Sequence, residues 1–90
     1  MDTYNTGTFT DLQTDVNEAK GNLAFAKDYN NTDNHGSVII DNNIVINGNG
    51  HIIDANGKYN VFTINKDVTV SFINIQFINC KAEYGGAIYN

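Results

Sequence analysis

What the sequence lacks narrows its possible functions first. Arginine is absent, and ten acidic residues against five lysines give a net charge of −5. This balance argues against nucleic acid and against anionic membrane surfaces as partners. No apolar run is long enough to span a bilayer, so we expect no membrane span. Cys80 is the single cysteine, which excludes an internal disulfide framework.

The composition also bears on size and location. Ninety residues make one domain at most. Few lysines and many asparagine and threonine residues are more typical of secreted surface proteins than of cytosolic enzymes. We therefore expect an extracellular, cell-surface protein. No secretory signal precedes Asp2, so we expect that a signal has been removed ahead of Met1.

The residues from Val38 to Ile88 repeat with a period of 24, which is typical of a solenoid or a propeller. The units are too short for a four-stranded propeller blade. Within each unit the apolar residues lie two apart, which is strand periodicity with one buried face. Proline is absent, and asparagine, glycine and aspartate fill the gaps. The repeat aligns Val38 with Phe62 and Gly86, Ile40 with Ile64 and Ile88, Ile44 with Val68, Ile46 with Val70, Gly48 with Phe72, and Ile53 with Phe77.

This repeat predicts an all-β (mainly β) fold, a single-stranded parallel β-helix. Each coil would gain ladder hydrogen bonds and a shared core from the next, and equivalent residues would stack as columns. We expect coils at about 37–60 and 61–84, and the start of a third at 85–90. Asparagine suits the corners, since it tolerates left-handed backbone geometry and its amide can bond the same asparagine in the next coil.

Residues 1–36 are expected to form an N-terminal cap with a helix at about 9–20, a strand at about 23–26 and a polar loop. Thr8 can cap the helix with Asp11 as its capping-box partner. The helix would then carry one apolar stripe at helical spacing, and that stripe consists of Phe9, Leu12 and Val16.

The apolar stripe suggests a role for the helix. An open coil exposes its core and an unpaired strand edge, so we expect the stripe to cover the first coil. The alternative is a helix packed on the side of a small α+β domain.

The far end of the array lacks such a helix. Residues 85–90 are in phase with the first strand of a coil, so we expect the N-terminal piece of a longer repeat protein. The open coil would expose Phe72, Phe77 and Ile88 together with an unpaired edge. We expect self-association there as a homodimer, with two copies meeting end to end.

Several stretches resemble a known family. Phe77-Ile78-Asn79-Cys80 followed by Gly85-Gly86-Ala87-Ile88 resembles the paired FxxN and GGA[ILV] motifs of polymorphic outer membrane protein repeats. Residues 7–13 and 46–54 resemble the N-terminal region of large adhesin-like surface proteins of archaea. The resemblance covers nearly the whole chain. It implies a right-handed, pectin-lyase-like parallel β-helix on a secreted, cell-wall-attached protein.

The resemblance implies a non-catalytic adhesin that binds a glycan or a partner-cell ligand, without naming that ligand. Two alternatives stay open. The fold also hosts polysaccharide lyases and hydrolases, and the segment could be a purely structural capping module. Fold analogy alone assigns no function. The lack of arginine, and of an acid pair placed by the repeat, favours the adhesin. A lateral groove with three or more carboxylates and a lysine would favour an enzyme.

No catalytic, metal-binding or cofactor-binding residue is predicted. His51 would need a partner as a general base, and Asp54 would face the opposite side of a strand. A corner histidine that is exposed or bonded to backbone is favoured. His35 has no metal-ligand spacing to His51. Cys80 has no histidine in phase with it, so we interpret it as a turn residue.

The remaining polar candidates are given structural interpretations. The acids Asp28, Asp41, Asp54 and Asp67 do not stack as a carboxylate column, so we interpret them as solvated turn residues. Asn30-Asn31-Thr32 matches the glycosylation sequon, for which a chance match is at least as good an explanation.

Overall fold

The computed structural model describes residues 6–58, 60–80 and 87–89. Within these ranges the protein is mainly β, with one helix and nine short strands. No helix of the described part is long and apolar enough to cross a membrane. The elements are α1 (Phe9–Glu18), β1 (Asn22–Ala24), β2 (Tyr29–Asn30), β3 (Val38–Ile40), β4 (Ile44–Asn47), β5 (Ile52–Asp54), β6 (Phe62–Ile64), β7 (Val70–Ile73), β8 (Gln76–Ile78) and β9 (Ile88–Tyr89).

Every paired strand runs parallel to the strand three places away in the chain. The result is three three-stranded sheets, with the orders β1-β4-β7, β2-β5-β8 and β3-β6-β9. We call each set of three consecutive strands a rung, so that rung 1 is β1–β3, rung 2 is β4–β6 and rung 3 is β7–β9. Rung 2 lies between the other two and forms hydrogen-bonded ladders with both.

Side chains alternate between the core and the outside, as the strand pattern predicts. In β3 and β4 the first and third residues are buried and the second is exposed. The predicted pairing of Val38 with Phe62, Ile40 with Ile64 and Ile53 with Phe77 is confirmed. The core therefore runs through all three rungs as stacked apolar residues.

The predicted register of β4 is wrong by two residues. Ile44 pairs with Val70 and Ile46 pairs with Phe72, instead of Ile44 with Val68, Ile46 with Val70 and Gly48 with Phe72. The cause is a longer turn: β7 begins six residues after Ile64, whereas β4 begins four residues after Ile40. A shift of two residues preserves the buried face, so the strand periodicity could not reveal it.

The end of the predicted repeat needs the same correction. Ile88 pairs with Phe62 and Tyr89 with Thr63, so Ile88 does not continue the column of Ile40 and Ile64. The connection between β8 and β9 is two residues longer than the one between β5 and β6. Gly86, which was aligned with Phe62, lies outside the described residues.

The N-terminal segment also differs in detail from the prediction. The helix ends at Glu18 rather than near residue 20, because Ala19 already has extended backbone with ψ 143°. The first strand is Asn22–Ala24, and a second strand, β2, lies in the segment that was predicted to be a polar loop. β1 and β2 pair with β4 and β5, so strand pairing begins inside the segment 1–36.

The core side chains are more deeply buried near the helix than in rung 3. The helix and rung 2 contribute fully buried side chains, among them Phe9, Ile46 and Phe62. In rung 3 the core-facing Phe72 and Phe77 are only half-buried. The gradient means that the core is closed at the helix and less covered at rung 3.

Asparagines form the corners at both ends of β5. Asn49 and Asn56 have φ values of 52° and 58°. Their Nδ2 atoms donate to the carbonyl oxygens of Phe25 and Asn31 in rung 1, at 2.8 Å and 3.3 Å. Their amides thus bond backbone of the neighbouring rung, not the equivalent asparagine as predicted. Left-handed geometry explains the choice of residue, since asparagine adopts it more readily than most others.

Gly48 provides a direct test of the packing between rungs 2 and 3. A Cβ at this buried position would lie 2.4 Å from Ile75 Cγ1 and 2.6 Å from the Asn74 carbonyl oxygen. Gly48→Ala should therefore lower the free energy of unfolding by about 1–3 kcal/mol, as overpacking does. Gly36→Ala is the matched control, because a Cβ there meets nothing within 4 Å. Urea unfolding measures both, and equal stability of the two variants would contradict the packing.

Candidate functional site

The side chains of His51 and Asp28 form a close polar pair between rung 2 and rung 1. His51 Nδ1 lies 2.9 Å from Asp28 Oδ1, and the two side chains are 33% and 18% exposed. The same Asp28 oxygen accepts a hydrogen bond from the Ile52 N–H at 2.9 Å. The partner of His51 is thus Asp28 from rung 1, and not Asp54 or backbone. Asp28 thus links the start of β5 to rung 1.

The Asp54 carboxylate accepts hydrogen bonds at the corner that follows β5. Its Oδ1 accepts hydrogen bonds from the Asn56 N–H at 2.8 Å and from Asn79 Nδ2 at 3.0 Å. The contact with Asn79 links rung 2 to rung 3. Asp28 lies just before β2, and Asp54 is the last residue of β5. Their carboxylates connect neighbouring rungs, whereas the sequence predicted solvated turn residues.

A shallow groove of about 200 Å³ lies beside these two carboxylates. Asn30 faces it from β2, and the Asn30 Oδ1 atom is buried without a hydrogen-bond partner among the described residues. Among the described residues, the groove has acceptor oxygens at Asp28, Asn30 and Asp54, a hydroxyl at Thr6 and no lysine. The lining residues are Thr6, Asp28, Tyr29, Asn30, Ile52, Asp54 and Ile78.

Asn31, next to Asn30 in the sequon, is fully buried and closes a loop. Its Oδ1 accepts from the His35 N–H at 3.0 Å, and its Nδ2 donates to the His35 carbonyl oxygen at 2.8 Å. His35 Nδ1 lies 2.7 Å from the carbonyl oxygen of Gly36. In the described residues no group of three histidine, cysteine, aspartate or glutamate side chains is placed to hold a metal ion.

Cys80 is half-buried at the corner that follows β8. Desolvation and the nearby charge of Asp54 raise the pKa of the Cys80 thiol. The Sγ atom lies 3.6 Å from the Ile78 carbonyl oxygen. A raised pKa keeps the thiol protonated, which disfavours a nucleophilic role.

The motif residues occupy different parts of the structure. Phe77 lies in the core and Asn79 at the exposed corner after β8. The FxxN spacing counted from Phe77 falls on Cys80, so Asn79 is one residue before the asparagine of that motif. Ala87 and Ile88 lie at β9, whereas Gly85 and Gly86 are outside the described residues.

The predicted stripe of α1 lies in the same buried cluster as the strand residues. Phe9 and Leu12 are fully buried and Val16 is nearly so. Val38 and Ile40 belong to the same cluster. The capping box is present, since Thr8 Oγ1 accepts from the Asp11 N–H at 3.1 Å and Asp11 Oδ2 accepts from the Thr8 N–H at 2.9 Å.

Gln13 is a contact that sequence reasoning missed. Its Oε1 accepts from the Ile39 N–H at 2.8 Å, and its Nε2 donates to the Ile39 carbonyl oxygen at 3.0 Å. One amide side chain thus pairs with both backbone groups of the edge strand β3, as a neighbouring strand would. The backbone of Gly7 pairs with β2 in a similar way. Its N–H donates to the carbonyl oxygen of Asp28, and its carbonyl oxygen accepts from the N–H of Asn30. No periodicity in the sequence predicts either contact.

Two further polar contacts attach the helix. The Tyr29 hydroxyl donates to Asp15, and both the side chain and the backbone N–H of Thr10 donate to Asp33. Burial, the bond to Asp15 and the negative charges of Asp15 and Asp11 raise the pKa of Tyr29 well above its ordinary value. The Thr10 hydrogen bonds hold the pKa of Asp33 below its ordinary value.

The surface of rung 3 that faces away from rung 2 combines strand edges with apolar side chains. β7, β8 and β9 are the last strands of their three sheets. Phe62, Phe72 and Phe77 form an aromatic cluster behind this surface, with ring centroids 5.4 to 6.3 Å apart. Ile88 packs against the same core. The predicted self-association residues Phe72, Phe77 and Ile88 thus all belong to rung 3.

Comparison with known proteins finds no matching family model, no matching curated protein and no matching solved structure.

Gln13→Ala tests the pairing of the helix with β3. It leaves the N–H and carbonyl of Ile39 to water, so the free energy of unfolding should fall by about 1–2 kcal/mol. The Ile39 amide should exchange faster with solvent. Asn17→Ala is the control, because Asn17 bonds Gln13 and not β3. Unchanged exchange at Ile39 in the Gln13 variant would contradict the contact.

The raised pKa of Tyr29 predicts a loss of stability in alkali. In the unfolded chain a tyrosine ionises near pH ~10, while folded Tyr29 keeps its proton. The stabilisation is therefore complete below about pH 10 and declines as the pH rises above it. Tyr29→Phe should make stability fall less steeply there, as measured by urea unfolding at several pH values. An unchanged decline of stability in the Tyr29→Phe variant would refute this assignment.

Proposed function

We propose that this chain is the first, helix-capped part of a right-handed parallel β-helix that serves as a non-catalytic adhesin at the cell surface. The three parallel sheets, in which each strand pairs with the strand three places later, support the solenoid. α1 is the cap of its first coil. Its buried stripe and the pairing of Gln13 with Ile39 support that role.

The observation that carries the non-catalytic proposal is the use of the acidic side chains. Asp28 and Asp54 hold neighbouring rungs together, while Asp11, Asp15 and Asp33 fix the helix. A glycoside hydrolase needs a pair of acids that flank the scissile bond, and the hydrogen bonds of these carboxylates hold them in structural contacts instead. In the part of the chain that the structure describes, two carboxylates and no lysine line the lateral groove, which favours binding over lyase chemistry.

The ligand class that best fits the groove is a neutral glycan. Sugar hydroxyls can donate to the carboxylate oxygens of Asp28 and Asp54 and accept from Thr6, and an outward turn of the Asn30 side chain would bring its buried, unpartnered Oδ1 within reach of a ligand. An unpaired buried acceptor costs free energy that such a donor would recover. The acidic balance of the chain disfavours anionic glycans. The extracellular location and the adhesive role also rest on the resemblance to archaeal adhesin-like proteins.

A glycan array with the purified chain tests the proposal. We expect binding to neutral glycans that is lost in Asn30→Ala and kept in Asn22→Ala, a change of an exposed asparagine on β1. No turnover of the bound glycans should follow on incubation. Absence of binding would leave a purely structural capping module, and cleavage of a glycan would establish the carbohydrate-active alternative.

A further inference from the structure

Every asparagine–glycine pair of the sequence lies in rung 2. The pairs are Asn47-Gly48 at the end of β4, Asn49-Gly50 before β5 and Asn56-Gly57 after β5. Asparagine followed by glycine loses side-chain ammonia readily, because glycine has no side chain to hinder the attack of its own backbone nitrogen. The sequence thus places its most readily deamidated asparagines in the rung that lies between the other two.

Deamidation of such a pair requires a free backbone N–H on the glycine. The amide loses its proton to solvent, and its nitrogen attacks the asparagine Cγ. The N–Cγ bond forms, the Cγ–Nδ2 bond breaks, and the side-chain nitrogen takes up a proton and leaves as ammonia. Water then opens the cyclic succinimide at either carbonyl, which gives aspartate or isoaspartate. The net reaction consumes one water and releases one ammonia, with no change of oxidation state.

Rung 3 holds the attacking nitrogen of all three pairs. Each glycine N–H donates to a backbone carbonyl oxygen of rung 3. These bonds run from Gly48 to Ile73 at 2.7 Å, from Gly50 to Asn74 at 2.9 Å and from Gly57 to Asn79 at 2.7 Å. An N–H that is held in this way keeps its proton and is directed at the neighbouring rung instead of at the asparagine Cγ. Pairing between rungs 2 and 3 therefore opposes the first step of deamidation.

The side chains at the two corners are held by the opposite rung. Asn49 Nδ2 donates to the Phe25 carbonyl oxygen at 2.8 Å, and Asn56 Nδ2 donates to the Asn31 carbonyl oxygen at 3.3 Å. Both corner asparagines and the glycines that follow them are exposed to water. The longer hydrogen bond makes Asn56 the less firmly held of the two. Asn56 should therefore react first when the glycine amides are released.

We infer that Asn56-Gly57 is a deamidation site whose reactivity is controlled by rung 3. While rung 3 is paired, the Gly57 amide stays bonded to Asn79 and the asparagine persists. Local opening of rung 3 releases the amide, and the pair converts to aspartate or isoaspartate. This inference concerns a covalent modification, so it goes beyond the proposed adhesion and holds with or without a bound glycan.

The modification would change the contact between rungs 1 and 2. Either product lacks the Nδ2 donor of Asn56 and brings a carboxylate oxygen toward the Asn31 carbonyl oxygen, which leaves two acceptors facing each other. Isoaspartate also lengthens the backbone at this corner. A transient opening of rung 3 would therefore produce a permanent weakening of the neighbouring contact.

Peptide mapping by mass spectrometry, on chain aged at mildly alkaline pH, is the first test. Asn56 should convert at least about tenfold more slowly in the folded chain than in urea-unfolded chain, because conversion follows the open fraction. His35→Asn provides an internal reference, since it creates a pair with exposed Gly36 in the loop between β2 and β3. Position 35 should convert within about threefold of the unfolded rate. Equal rates at positions 35 and 56 in the folded chain would overturn the inference.

A pair of variants tests the control by rung 3. Phe77→Leu loosens the packing of β8 on β5 and should speed the conversion of Asn56 at least about threefold. Gln13→Ala, which loosens the helix at β3, should change that rate by less than about twofold. Equal acceleration in the two variants would show that global unfolding, and not rung 3, controls the site.

Hydrogen exchange of the unaltered chain gives a readout that needs no variant. Exchange of the Gly57 amide and deamidation of Asn56 both begin with loss of the same proton, so both rates should rise in parallel as urea is added below the unfolding transition. Deamidation of Asn56 that rises while exchange at Gly57 stays constant would overturn the inference.

Discussion

The structure depends on parallel strand pairing between rungs, which joins residues about 23 to 26 positions apart in the chain. A strand of two to four residues has almost no stability alone. Stacked in register, each strand gains a backbone ladder and places apolar residues onto those of the next rung. The stabilising free energy therefore comes from the contacts between neighbouring rungs.

The polar residues follow from this constraint. A corner must turn the chain and still satisfy the hydrogen bonds of nearby backbone groups. Asn49 and Asn56 turn the chain with left-handed backbone geometry, and their side-chain amides donate to carbonyl oxygens of rung 1. Asp28 and Asp54 add charge-assisted bonds across the same spacing. Asp28, Asp54 and His51 resemble candidate active-site residues by type. In this structure their side chains form hydrogen bonds between neighbouring rungs.

The sequence predicted the class of fold and much of the core. It did not predict the register of β4, the strand β2 or the contacts between distant side chains, each for a physical reason. Strand periodicity identified Ile40, Ile53 and Ile64 as stacked core residues, because alternation reports the buried face. It could not resolve the register of Ile46, since a two-residue shift preserves that face. β2 was missed because it has two residues and Tyr29 as its single apolar one. The contacts of Gln13 with Ile39 and of His51 with Asp28 join side chains that no local pattern links.

The most direct test of this account is native-state hydrogen exchange across the three rungs. If pairing between rungs holds the structure, the amides of β4, β5 and β6, which have a paired strand on both sides, should exchange slowest and as one cooperative unit. Those of β7, β8 and β9 should exchange faster. Exchange in rung 2 that is as fast as in rung 3, or independent opening of β4 and β5, would contradict the account.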